Sequence, residues 1–325
     1  MMEPAPLDAS ALVTNRNDSQ RRWGLRHLSS RQREALWFYG IISPWLVGLL
    51  LLLAGPMVYS IYLSFTDWNL FNPPEWVGLD NYIRLLTRDR TFGYALTNTF
   101  VYTFLYVPLN IVFSLGIAYL LNKRLPGMRI FRTIIYLPYI VPVVATTMVF
   151  RWVFAPDNGL LNGFLSLFGI DGPAWLLDPG WIKPALVIMS LWGLGSSVVF
   201  LLAGMQGIPS ELYDAAAIDG ATERHRFFRV TLPMLSPVIF FNMIMSIIGS
   251  LQTFTQVYIL NADPNTPNNA IVMIIPYLFD NAFRFNKMGY ASAIAWVLFV
   301  IIFVFTLLVI RSSSVWVFYE NEMKQ

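Results

Sequence analysis

The sequence predicts an all-α membrane protein with six transmembrane helices. Three observations predict it. Only 13% of the 325 residues are charged and 56% are hydrophobic, whereas soluble domains carry roughly 25% charge. The charges gather between long uncharged windows, because a charge at mid-membrane costs several kcal/mol. Six of those windows match the length, about 20 apolar residues, that a helix needs to cross the hydrocarbon core.

The first window, residues 36–66, is centred on WLVGLLLLLAGPMVYSIYL. It follows a polar tail, residues 1–35, and is too long for a signal-peptide core, so it reads as an anchor. The tail carries Arg16, Arg21, Arg22, Arg26, Arg31 and Arg33. Its first ~15 residues read as disordered, and the stretch 23–37 as able to lie along the membrane surface. The second window is 91–122. The third is 133–150, extended past Arg151 by Trp152, Val153 and Phe154. The fourth, fifth and sixth are 184–210, 230–262 and 288–310. Residues 270–279 are also apolar, but short and broken by Pro276. An interfacial or re-entrant helix is expected there.

Six spans place both termini on one side. The loops and tails of that side hold fifteen Lys and Arg, and the opposite loops hold seven. The positive-inside bias predicts that both termini are cytoplasmic. The loops 67–91, 155–183 and 261–287 then face outward. They are rich in Trp, Pro, Asn and Asp, which suits either a surface that meets another protein or plain connections.

Composition also excludes. A net charge of +3 suggests no nucleic-acid groove. With no cysteine there is no disulfide and no thiolate metal site, and two distant histidines, His27 and His225, make a histidine metal cluster no reading to pursue. No catalytic residue is assigned. An intramembrane enzyme would need a paired nucleophile and base or a metal at membrane depth. A stand-alone secondary transporter or channel for a small polar solute remains the alternative, although such proteins usually place ionisable residues in their spans.

The stretch between spans four and five reads IPSELYDAAAIDGATERHRFFRVTLPMLSP from Ile208. Pro209 ends the fourth span. Ser210 is expected as N-cap, with Glu211 and Asp214 in the first turn, where acids suit the helix dipole. Ala215 and Ala216 let another surface approach. Gly220 can take the left-handed conformation that stops a helix. Thr222 can cap a second short helix with Phe227 and Phe228, and Leu232-Pro233 opens span five.

This loop resembles that of the permease subunits of binding-protein-dependent ABC importers: Glu-Ala-Ala, three residues, Gly, nine residues, Ile, one residue, Leu-Pro. Here Asp214-Ala215-Ala216, Gly220, Val230 and Leu232-Pro233 stand at the same spacing, with Asp for Glu and Val for Ile. YLPYIVPVVATTMVFRWVFAPDNGLLN from Tyr136, Leu191-Trp192, MGYASAIAW from Met288 and WVFYE from Trp316 are similar to the carbohydrate-uptake branch, of the first-of-pair maltose and glycerol-phosphate type. After span five many relatives have Gly-Gly-Pro; this chain has Ala262-Asp263-Pro264.

The resemblance implies a type I ABC importer permease fold in a prokaryotic cytoplasmic membrane. It divides the chain into a basic cytoplasmic tail (1–35), a first span (36–66), an extracytoplasmic loop (67–90), a permease core of five spans (91–311) with a coupling loop at 208–233, and a cytoplasmic C-terminal tail (312–325). It implies that Glu211, Asp214, Ala215, Ala216, Asp219 and Gly220 dock on a separate cytoplasmic ATPase dimer. It also implies a second permease subunit and an extracytoplasmic solute-binding protein. No G-x-x-x-x-G-K-[ST] motif occurs, so ATP and Mg are expected on the partner.

The polar residues inside the spans are candidates for the solute path. Span five offers Asn242, Ser246, Ser250, Gln252, Thr253, Thr255 and Gln256. Tyr136, Tyr139, Trp192, Phe254 and Tyr258 can stack on sugar faces. The same side chains could equally glue helix to helix; for Gln252, Thr253 and Gln256 the resemblance adds a place near the solute. Pro138, Pro142, Gly193 and Gly195 read as kink and close-packing residues. No Lys, Arg, Asp or Glu lies at a span centre, which points to a neutral solute.

Overall fold

The computed structural model describes residues 29–123, 125–262, 266–267 and 269–318. The tail 1–28, Asp263-Pro264 and the last seven residues, on which several expectations rest, lie outside them. The chain divides into two units at Val58/Tyr59, inside the first helix. In the first unit, Ser29 and Gln32 cap each other reciprocally at the start of that helix, satisfying two orphan N–H groups. Residues 30–37 form the first turns of this helix.

Four helices are each long and apolar enough to cross a membrane: Ser30–Ser64, Arg90–Leu121, Glu223–Asn261 and Met288–Trp316. Two bent pairs supply the remaining two spans. The first pair, Met128–Ile140 and Val143–Val153, bends by 97°, at Pro142, one of the residues the sequence marked for a kink. Val141 is extended (φ −67°, ψ 131°) because the ring of Pro142 disfavours a helical residue before it. The second pair, Ile182–Leu191 and Gly195–Gln206, bends by 49°. Gly195 is needed there: a Cβ on it would sit 2.8 Å from the Ile135 carbonyl oxygen, so span four crosses span three backbone to backbone.

Span five also departs from a simple rod. The short helix expected ahead of it does not stand apart. Glu223–Arg226 runs through a π-helical turn, Phe227–Thr231, straight into Leu232–Leu251. The helix then breaks at Gln252–Phe254 and resumes as Thr255–Asn261. Span six runs past residue 310 to Trp316, and the backbone N–H of Phe318 returns to Ser236 Oγ at 2.8 Å.

On the predicted outer side the loops are built rather than loose. Thr66–Asp67 pairs antiparallel with Glu75–Trp76. Asn81 donates to the carbonyls of Ser64 and Thr66 at 3.0 and 2.9 Å. The segment 270–279 forms a helix, Ile274–Phe279, with Ile271, Met273 and Ile274 fully buried. It is pinned to span two by Asn98, which donates to the Asn269 and Val272 carbonyls, and by Thr99, which accepts from the Ile274 N–H. Asp89, just ahead of span two, accepts from the Phe92 N–H and from the phenols of Tyr277 and Tyr290, each at 2.5 Å. It thus ties the starts of spans two and six to this short helix. Burial pushes the Asp89 carboxyl up, but these hydrogen bonds outweigh it and hold it below its ordinary value. Burial and the Asp89 bond push the Tyr277 phenol up to about 12.

Candidate functional site

The loop between spans four and five folds as a free-standing helix, Ser210–Ile218. Pro209 is the residue before it, at φ −56° and ψ 133°. Helical geometry therefore begins at Ser210, one residue earlier than expected, and no side chain caps the terminus. Glu211 lies in the first turn and Asp214 beyond it. The helix stops as its sequence requires. Gly220 takes φ +73°, its N–H bonds the Ala217 carbonyl at 3.0 Å and the Ala221 N–H bonds the Ala216 carbonyl at 2.9 Å. These are the two bonds of a left-handed stop motif. Thr222 then caps the next helix, accepting from the His225 N–H at 3.4 Å.

No residue of Ser210–Ile218 is buried. Ile218 is 87% exposed and Leu212 40%, an apolar surface carried on a polar loop. Glu211, Asp214, Ala215, Asp219 and Gly220 are exposed and Ala216 half-buried. Behind this face, the half-buried Tyr213 hydroxyl lies 2.9 Å from Thr231 Oγ1 in the π-helical turn. Lys123, at the end of span two, pairs with Glu223 at 3.5 Å. The helix is therefore tied to the start of span five from one side, where span five is in turn paired to the end of span two, and it is bare on the other.

Deeper in the bundle, spans two to five enclose a cavity of ≈ 540 Å³, within the range of small-molecule sites. Its wall mixes hydroxyls, amides and aromatic rings with apolar residues such as Val141, Val143, Met189 and Met245, and among the described residues it holds no Asp, Glu, Lys or Arg. Tyr102 and Tyr106 of span two stack at 5.5 Å with planes 7° apart. The Tyr102 hydroxyl donates to Ser190 Oγ at 2.9 Å, and Ser190 can in turn donate to the Leu186 carbonyl at 2.8 Å or to Gln256 Oε1 at 3.0 Å. A second network crosses the bundle. Asn110 Nδ2 donates to Ser246 Oγ at 2.9 Å and Ser197 Oγ at 3.3 Å, and Ser197 donates to Asn242 Oδ1 at 3.0 Å. Asn110 Oδ1 and Asn242 Nδ2 have no partner among the described residues. One acceptor and one donor in this wall are thus unpaired, which costs free energy unless water or a solute meets them.

The break in span five lies beside this cavity. Thr253, in the break, and Gln256, one turn beyond, line it. Irregular backbone at membrane depth is tolerated where it faces a cavity rather than lipid.

Residues 111–314 match the family model described as "Binding-protein-dependent transport system inner membrane component". The chain belongs to this family. It is 41% identical over 295 residues to a probable ABC transporter permease protein, YesP, of Bacillus subtilis (strain 168), covering 90% of this chain and 95% of that protein. It is 33% identical over 283 residues to MalF, the trehalose/maltose transport system permease protein of Thermococcus litoralis, covering 86% and 95%. In fold it matches a chain of a bacterial alginate ABC transporter solved in complex with an alginate pentasaccharide-bound periplasmic protein. That match has a TM-score of 0.76 at 23% identity and covers 87% of this chain and 96% of that one. The protein is a multi-pass membrane permease subunit of the type I importer fold.

Within this permease, the predicted solute-path residues divide. Asn242, Ser246, Ser250, Thr253, Gln256, Trp192 and Tyr139 line the cavity; Gln252, Tyr136, Thr255, Phe254 and Tyr258 do not. Gln252 is exposed. Tyr136 is 37% exposed, its ring 5.7 Å from that of Tyr139. Phe254 instead stacks on Tyr258 and lies tilted against Phe279, with ring centres 5.1 Å from each. Sequence reasoning missed Tyr102, Tyr106 and Asn110 on span two and Ser190 and Ser197 on span four. The signal was present for the first three: they recur every four residues in an uncharged window, which places them on one helix face.

Proposed function

We propose that this permease is one of two different transmembrane subunits of an ATP-driven importer of neutral carbohydrate. The observation that carries the reading is the transmembrane cavity, whose wall combines hydroxyls, amides and aromatic rings with apolar residues and, among the described residues, no charged side chain. A sugar offers hydroxyl edges to such polar groups and apolar C–H faces to such rings, whereas an ion there would lack compensating charge. The names of the similar proteins point the same way. Both termini are cytoplasmic, as the excess of Lys and Arg on that side supports.

A binding protein on the outside delivers the solute. A cytoplasmic ATPase dimer holds ATP and Mg and receives the helix Ser210–Ile218, with Glu211, Asp214, Ala215, Ala216, Asp219 and Gly220 at the contact. Closure of the ATPase pulls on this helix. Tyr213, Thr231 and the Lys123–Glu223 pair pass the motion to spans two and five, and the walls of the cavity separate. The test is uptake by vesicles holding the assembled importer with its binding protein. ATP-dependent accumulation of a neutral mono- or oligosaccharide is expected. Uptake by this chain alone, without ATP, or uptake confined to a polyamine or metal ion, would overturn the reading.

A further inference from the structure

Spans two and three meet in a concave basic site. A cavity of ≈ 510 Å³ opens between the end of span two and the start of span three, lined by Asn122, Lys123, Leu125, Arg129, Ile130 and Arg132 among others, with no carboxylate in its wall among the described residues. Arg132 donates from one Nη to the Leu121 carbonyl at 2.9 Å, which fixes its guanidinium at the last turn of span two. Arg129 is exposed, and its guanidinium has no protein partner among the described residues. Lys123 is partly neutralised from the flank by Glu223 at 3.5 Å. Gly127, at φ +83°, starts the helix Met128–Ile140, and no side chain caps that terminus. The positive end of a helix dipole therefore adds to the cationic side chains.

The depth of the site and what adjoins it identify the occupant. The cavity begins where the uncharged window of span two ends, the level at which lipid phosphates lie. From its rim an apolar stripe runs along span three: Ile130, Ile134 and Leu137, spaced to share one helix face, are 66%, 55% and 58% exposed. Cations at headgroup depth joined to an apolar stripe at acyl depth fit an amphiphile, not a free anion. Basic pockets between spans are known to take anionic headgroups. We infer that this cavity binds the phosphate of an anionic phospholipid, with an acyl chain along Ile130, Ile134 and Leu137.

The test uses the permease purified in its native assembly and placed in bilayer discs of phosphatidylcholine with phosphatidylglycerol. Lipid retained after mild extraction is measured by native mass spectrometry. Phosphatidylglycerol should be retained over phosphatidylcholine. Arg129→Gln should weaken that retention roughly fivefold, since one basic residue near an anionic surface is worth about that factor. Arg129→Lys should keep most of it. Arg129 is the right position because, unlike Arg132, it holds no backbone carbonyl. Equal retention of the two lipids, or no effect of Arg129→Gln, would overturn the inference. Release of phosphatidylglycerol by inorganic phosphate alone would assign the cavity to a free anion and overturn it too. So would protection of Arg129 from an arginine reagent by the second permease subunit in detergent stripped of lipid.

Discussion

The loop helix Ser210–Ile218 and the cavity wall are both polar, yet they are polar for opposite reasons. The loop helix has no buried residue, so its carboxylates are satisfied by water and its apolar Ile218 is left bare. The cavity wall holds Asn110, Asn242, Ser197, Ser246 and Ser250 at less than a tenth exposed, so their polar atoms depend on one another or on what fills the cavity. A change on the loop should therefore alter what the permease couples to while leaving its stability alone. A change in the wall should alter both, because the same amides hold spans together and face the solute space.

The largest effect expected is at Gly220. A β-branched residue there would have to adopt φ +73°, and strain of this kind costs about 1–3 kcal/mol. The stop motif would give way and Asp214 to Asp219 would shift as a body. Gly220→Val should cut ATP-dependent uptake by at least about tenfold, with membrane abundance and melting temperature close to wild type. Asp214→Lys should act the same way through charge reversal on an exposed helix. If either variant transports normally, the loop is a connector and the contrast with the cavity collapses.

Asn110→Leu should come next. It removes the donor to Ser246 and Ser197 and leaves two hydroxyls in the wall without that partner. The cost is about 1–3 kcal/mol in stability, and uptake should fall as well. Thermal unfolding in detergent together with uptake distinguishes this from the loop variants. A variant that unfolds earlier yet transports at the wild-type rate would make Asn110 helix glue alone.

That residue also shows what could be read from the chain and what could not. The loop was legible because its determinants are contiguous: Asp214, Gly220, Thr222 and Leu232-Pro233 act through local backbone geometry. The wall was legible chiefly in span five, where amides and hydroxyls cluster along one segment, and in two aromatic rings, Tyr139 and Trp192. Ser190 and Ser197 pass for ordinary span hydroxyls until the bend at 192–194 brings them to face Tyr102 and Asn242. The bend of span three was written in Pro142, but its 97° amplitude was not, and neither was the close approach of Gly195 to the Ile135 carbonyl. Asp89 gave no local signal, since its phenolic partners lie nearly two hundred residues away.

A smaller effect should appear at Tyr213, where the two regions join. Tyr213→Phe keeps the ring and removes only the 2.9 Å contact with Thr231, a neutral hydrogen bond worth about 1 kcal/mol. The loop face stays intact, so the ATPase should still dock and hydrolyse. Solute moved per ATP should drop severalfold. An unchanged ratio would mean that motion reaches span five without passing through this contact.

The smallest effect on transport is expected at Asp89, and it serves as the control. Asp89 is half-buried, charged and fully bonded, but it lies away from both the loop and the cavity. Asp89→Asn should lower stability by about 2 kcal/mol, the worth of hydrogen bonds to an ionised group, and leave solute moved per ATP unchanged. The pH dependence has a definite sign. The Asp89 carboxyl is held below its ordinary value, so its contribution is present above about pH 3.9, the unfolded pKa. It is lost as pH falls through the folded value below that. The Tyr277 phenol is raised to about 12, so its contribution is complete below about pH 10 and fades as pH climbs toward 12. The melting-temperature gap between wild type and Asp89→Asn should thus be flat from about pH 5 to 9, narrow in acid below about pH 4, and narrow again in strong base. A gap that instead changed between pH 6 and 8 would mean that some other group carries this corner of the fold. A fall in solute moved per ATP would mean that the outer clamp takes part in the transport movement, and polar satisfaction would then no longer separate stability from function.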